Sequence, residues 1–129
     1  MKEVNMTEQQ IIEGNKSIAE FLETEIDYTK HGETAYFFRD NENRTSGYLP
    51  HELMFHKSWN WLMPVIEEIE EFPYIGVHIE GCYCAIKSDE KYPGEEDEII
   101  VKNPINTFDK FSSVYQTVIQ FIKWHNQNK

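Results

Sequence analysis

The chain has 129 residues, with 12 Lys and Arg against 23 Asp and Glu, for a net charge of −11. That length suits one domain spanning residues 1–129, able to bury enough surface to fold without a metal or disulfide. The negative balance repels phosphate backbones and anionic bilayers at long range, which excludes generic nucleic-acid binding and adhesion to membrane surfaces.

The opening residues lack an apolar stretch, and no run approaches the roughly 18 apolar residues of a membrane span, so a cytoplasmic location is expected. The sequons at Asn5, Asn15 and Asn43 then read as chance matches. Cys82 and Cys84 are the only cysteines, and in a reducing compartment they read as two small buried thiols.

Thr7 followed by Gln10 is a capping box, and Ile11, Ile12, Ile18, Ala19 and Leu22 carry a helical stripe to about residue 23. Gly14 weakens that helix and marks close approach of a neighbour. Residues 34–39 (Thr-Ala-Tyr-Phe-Phe-Arg) are rich in strand formers. The polar run 40–47 reads as a turn, and Tyr48-Leu49 as the start of a return strand stopped by Pro50.

Ser58 is placed to cap a second helix. Pro64 either kinks it or separates residues 59–63 as a turn of their own. Leu62, Val65, Ile66 and Ile69 form its apolar face; Glu67, Glu68, Glu70 and Glu71 form the other, and the helix ends before Pro73.

Residues 74–88 alternate as a hairpin. With Glu80-Gly81 as its turn, Ile79 faces Cys82, Val77 faces Cys84 and Ile75 faces Ile86, all six on the core side. Glu is a poor residue for such a turn, which leaves a bulge as the alternative. Gly76, His78, Tyr83, Ala85 and Lys87 occupy the other side. A charged loop over residues 88–97 follows, then a strand over 98–102. Asn106 or Thr107 caps a final helix whose apolar positions are Phe108, Phe111, Tyr115, Val118, Ile119 and Ile122, ending near Trp124-His125. The order of elements predicts an α+β single-domain sandwich, its mostly antiparallel or mixed sheet packed against three helices.

Three segments carry a family likeness. Residues 55–70 (Phe-His-Lys-Ser-Trp-Asn-Trp-Leu-Met-Pro-Val-Ile-Glu-Glu-Ile-Glu), 118–126 (Val-Ile-Gln-Phe-Ile-Lys-Trp-His-Asn) and the opening 6–16 look like small bacteriophage and prophage proteins. That group resembles the family described as a phage αβα sandwich domain. The likeness covers about half the chain and implies a helix–sheet–helix sandwich of phage or mobile-element origin. It implies no activity, and residues 89–97 form a longer acidic insertion than the pattern has.

The chemistry-bearing residues point away from catalysis. His78, Glu80, Cys82 and Cys84 superficially match a zinc deaminase, but that site needs Cys-x-x-Cys on a separate helix, and here His78 faces away from both thiols. No metal or other cofactor is expected. The four glutamates of the second helix read as a solvated face rather than acid–base pairs. No Gly-x-Ser-x-Gly, P-loop or Rossmann glycine pattern is present.

Trp59 and Trp61 cannot share a helix face, so one packs into the core and the other sits at its rim. The rim tryptophan, with His56 and Tyr48, is the candidate partner-binding set; His51 lies close to His56 in sequence. The leading expectation is a non-enzymatic module binding a host or phage protein. The alternative is a small-molecule binder or enzyme with a pocket lined by His78, Tyr83 and a Trp. A third reading is a homo-oligomer paired through a strand edge.

Overall fold

The structure is a computed structural model that describes residues 6–22, 25–28, 32–39, 45–88, 98–104 and 109–128. Helix α1 spans Glu8–Phe21 and starts where the capping box places it. Thr7 Oγ1 accepts the Gln10 N–H at 3.1 Å, and Gln10 Oε1 accepts the Thr7 N–H at 2.8 Å. Strands β1 (Glu25–Tyr28), β2 (Thr34–Arg39) and β3 (Thr45–Tyr48) form one antiparallel sheet in that order.

Strand β1 has no counterpart in the sequence reading. The return strand also begins earlier than expected, running up to Tyr48 instead of starting there. Pairing explains it: Arg39 stands opposite Thr45 and Tyr36 opposite Tyr48, so the partner, not local hydrophobicity, recruits Thr-Ser-Gly-Tyr into strand. Gly47 is required there, because a Cβ on it would lie 2.5 Å from the Phe37 ring.

A short 3-10 turn at Pro50–Glu52 follows, closed by the Leu49 N–H donating to Glu52 Oε1 at 2.9 Å. Helix α2 is one continuous helix, Trp59–Glu70, with Pro64 inside it. Pro64 and Asn60 are both exposed, so water can solvate the carbonyl that Pro64 leaves without a donor. The Ser58 side chain, expected as a cap, makes no capping hydrogen bond.

Strands β4 (Ile75–Glu80), β5 (Tyr83–Ser88) and β6 (Glu98–Lys102) make a second antiparallel sheet in that order. All strand pairs are antiparallel, and they form two sheets where one was expected. The β4–β5 register is two residues away from the predicted one: Ile79 faces Cys84, Val77 faces Ile86 and Glu80 faces Tyr83. Gly81 and Cys82 are therefore the turn, with Gly81 at φ +59° in its first central position. Glycine takes that conformation readily, and Glu80 is released from it.

A two-residue slip preserves which face each strand residue occupies, so Cys84 and Ile86 still point inward and are fully buried. Cys82 and Ile79 are the corrections: Cys82 sits in the turn and is exposed, and Ile79 is exposed at the end of β4, while Ala85, read on the other side, is fully buried. Asn103 extends the β6 edge onto this turn. Its N–H donates to the Cys84 carbonyl at 2.9 Å, its Oδ1 accepts the Cys84 N–H at 3.0 Å, and its Nδ2 donates to the Cys82 carbonyl at 3.1 Å.

Helix α3 spans Lys110–Gln127. Its cap is Asp109, whose Oδ1 accepts the Ser112 N–H at 2.9 Å. Asn106, Thr107 and Phe108, read as cap and first turn, lie outside the described residues, as do the 40–44 turn and the 89–97 loop. The chain is α+β: α2 packs on β4, α3 on β5 and β6, and α1 on α3 and the Pro50–Glu52 turn. One apolar core joins side chains of all three helices with Tyr36, Leu53, Phe55, Cys84 and Ile86. Gly14 lets α1 approach α3, since a Cβ on it would fall 2.6 Å from Ile119 Cδ1.

Candidate functional site

The four candidate residues divide among three neighbourhoods. Tyr48, at the end of β3, and Trp61, in the first turn of α2, meet at 4.9 Å between ring centroids. Phe38 and Phe55 close on the same indole at 5.5 and 5.1 Å, all at steep interplanar angles. Edge-on packing of this kind sets ring hydrogens against ring faces, and it fastens the first sheet to α2. Trp61 and Tyr48 are half-buried parts of that cluster.

Trp59 lies elsewhere. It opens α2, remains 38% exposed, and rests edge-on against Phe111 of α3 at 4.8 Å. Met63, one turn further, is 41% exposed, and Glu67, Glu68, Glu70 and Glu71 continue the outer face. The last turn of α2 holds no basic residue. Among the described residues the ion pair is Lys16 with Glu13 at 3.9 Å, so none of these glutamates is paired. The ridge therefore runs from an aromatic head to an unneutralised acidic end.

His56 belongs to a third neighbourhood, built on a polar side chain in the apolar face of α1. Asn15 is 1% exposed; its Nδ2 donates to the Leu53 carbonyl at 3.1 Å and lies 2.9 Å from His56 Nδ1, while its Oδ1 accepts from the Tyr115 hydroxyl at 2.8 Å. The Tyr115 ring stands 6.4 Å from the imidazole. Burial pushes the Tyr115 hydroxyl far above its ordinary titration range, so it stays protonated. Burial, then the Lys57 charge, lowers His56 below its ordinary 6.5. His51 and His56 line one groove of about 240 Å³ with Glu8, Ile11, Ile12 and Pro50. A second hollow of about 320 Å³ adjoins it at Ile12, Pro50 and His51 and reaches Lys16 and Glu33.

Asn15 and Tyr115 were not singled out as functional from sequence. The available signal was Asn15 itself, a polar residue at helical spacing from Ile11, Ile12, Ile18 and Ala19. A side chain in that position is buried, and a buried amide demands partners.

The sheet residues weighed for metal chemistry do not converge. Cys84 is buried, Cys82 and His78 are exposed, and among the described residues no group of three or more His, Cys, Asp or Glu could hold a metal ion. Burial raises the Cys84 thiol, against a hydrogen bond with Thr117, which makes it a poor nucleophile. The two hollows beside His51 are lined chiefly by α1 and the Pro50–Glu52 turn, a third of about 360 Å³ lies between α1 and α3, and none of the three is lined by His78, Tyr83 or a tryptophan. Among the described residues no helix is long and apolar enough to cross a membrane. No family model, curated protein or solved structure matches the chain.

Proposed function

We propose that this protein is an accessory protein of phage or prophage type that works as a non-enzymatic protein-binding module, with the outer ridge of α2 as its contact surface. The observation that carries the reading is the continuity of Trp59 and Met63 with Glu67 and Glu70 along one exposed helix face, which Glu71 and Glu68 widen on its far side. Trp and Met are enriched where proteins meet, because they bury large area for little lost freedom. The acidic end, on a chain of net charge −11, steers a basic partner onto that head. The partner is a basic segment with an apolar anchor, from a host or phage protein. The phage assignment rests on the likeness of residues 6–16, 55–70 and 118–126.

The test is capture from host lysate at low and high salt. It compares the wild type with Trp59→Ala/Met63→Ser and with a fourfold Glu→Gln change at 67, 68, 70 and 71. A salt-sensitive partner held by the wild type and lost by both variants supports the reading. A partner held equally by all three, or none at all, ends it. Small-molecule binding is the second reading, favoured by the groove beside His56. It requires a ligand whose binding is lost in His56→Asn and unaffected by the ridge substitutions.

A further inference from the structure

The Asn15 network fixes the proton on His56. A backbone carbonyl only accepts, so the atom facing Leu53 is the amide nitrogen of Asn15, and the same nitrogen faces His56 Nδ1. Nδ1 therefore presents its lone pair to Asn15, and the neutral ring carries its hydrogen on Nε2. A second proton would set an N–H on Nδ1 against the N–H of Asn15, donor against donor. Turning the amide over brings its oxygen against the Leu53 carbonyl, acceptor against acceptor. Neither orientation satisfies both contacts once the ring is charged.

We propose that His56, Asn15 and Tyr115 form a pH-operated latch: neutral His56 ties segment 49–58 to α1 and α3, and protonation of Nδ1 releases it. Among the described residues, four charged or titratable groups lie beside the ring or in its groove. Lys57 beside it opposes a second proton, and Glu8 of α1 and His51 of the Pro50–Glu52 turn line the same groove. Tyr115 of α3 contributes no charge.

The folded chain thus resists a proton that the unfolded chain accepts at the ordinary value of 6.5. The latch is fully closed above that pH and loosens as pH falls below it. The segment it holds runs directly into Trp59, the first residue of α2. The latch is a property of the unbound protein and does not depend on the partner reading.

The experiment has two measurements on the full chain. Nitrogen-15 chemical shifts of the His56 ring at about pH 7.5 report which nitrogen carries the hydrogen. Amide hydrogen exchange of residues 53–57, corrected for its intrinsic pH dependence, is followed down to about pH 5. The expected results are a hydrogen on Nε2 and an opening that grows about tenfold on acidification. The acid effect is lost in His56→Asn, whose Oδ1 can still accept from Asn15 but cannot titrate, and is kept in His51→Asn. A hydrogen on Nδ1, no acid-induced opening, equal opening in His56→Asn, or its loss in His51→Asn overturns the proposal. Should His56→Asn fail to fold, the wild-type ring tautomer and the His51→Asn exchange decide it.

Discussion

Trp59 and Trp61 lie two residues apart on one helix, about 200° apart around its axis. One indole is enclosed by Phe38, Tyr48 and Phe55 from two other parts of the chain; the other touches Phe111 and stays open. Trp61 ties the first sheet to α2. Trp59 secures little, and its exposed area stands at the head of an acidic ridge. Identical side chains thus divide between holding the fold and presenting a surface, and the helical period makes the division.

The sharpest way to break this comparison is Trp61→Ala. Removing a large aromatic from a packed cluster costs about 3 kcal/mol or more, and three ring pairs disappear with it. Urea unfolding, read as a drop in midpoint at unchanged slope, measures it. A loss below about 1 kcal/mol would mean that the first sheet does not depend on the indole. Asn15→Ala comes next, at about 2 kcal/mol, because it strips the buried Leu53 carbonyl of its amide donor and leaves the Tyr115 hydroxyl with only its longer bond to the Ile11 carbonyl, at 3.3 Å. Only part of that cost should disappear in the Asn15→Ala/Tyr115→Phe double variant, since the hydroxyl is then gone while the Leu53 carbonyl still lacks its donor.

These two sites also show what a single sequence can convey. The fate of Trp61 was half legible: spacing excluded a shared face, but nothing local said which indole goes inward. That choice is made by Phe38 and Tyr48, which are distant in sequence, together with the nearby Phe55. Strand β1 was invisible for the same reason, since Glu-Ile-Asp-Tyr carries little strand signal and pairs because β2 offers an edge. The hairpin was readable in parity but not in register. Alternation fixes faces, while only the preference for glycine at positive φ separates Gly81-Cys82 from Glu80-Gly81 as the turn. The capping box of α1 and the apolar face of α2 are purely local, and both appear as read.

The complement to Trp61 is Trp59→Ala, with an expected loss of about 1 kcal/mol, mainly the Phe111 contact. Stability therefore should fall far less than in Trp61→Ala while capture of a partner fails. A drop as large as that of Trp61→Ala would assign both indoles to the core and remove the aromatic head of the ridge.

The smallest expected effect has the opposite sign. Glu71 caps the C-terminal end of α2, where the helix dipole is negative, with Glu67, Glu68 and Glu70 nearby and no basic residue in the last turn. Negative charge is unfavourable there through both the dipole and mutual repulsion. Glu71→Lys should therefore raise stability by about 0.5 kcal/mol at low salt, and the gain should shrink as salt is added. If the ridge exists to meet a basic partner, the same variant weakens capture, and more so at low salt, where steering is strongest. Higher stability with weaker binding is what a surface kept acidic for a partner predicts. Higher stability with unchanged binding would mean that the glutamates are only solvated, leaving Trp59 and Met63 to carry any contact alone.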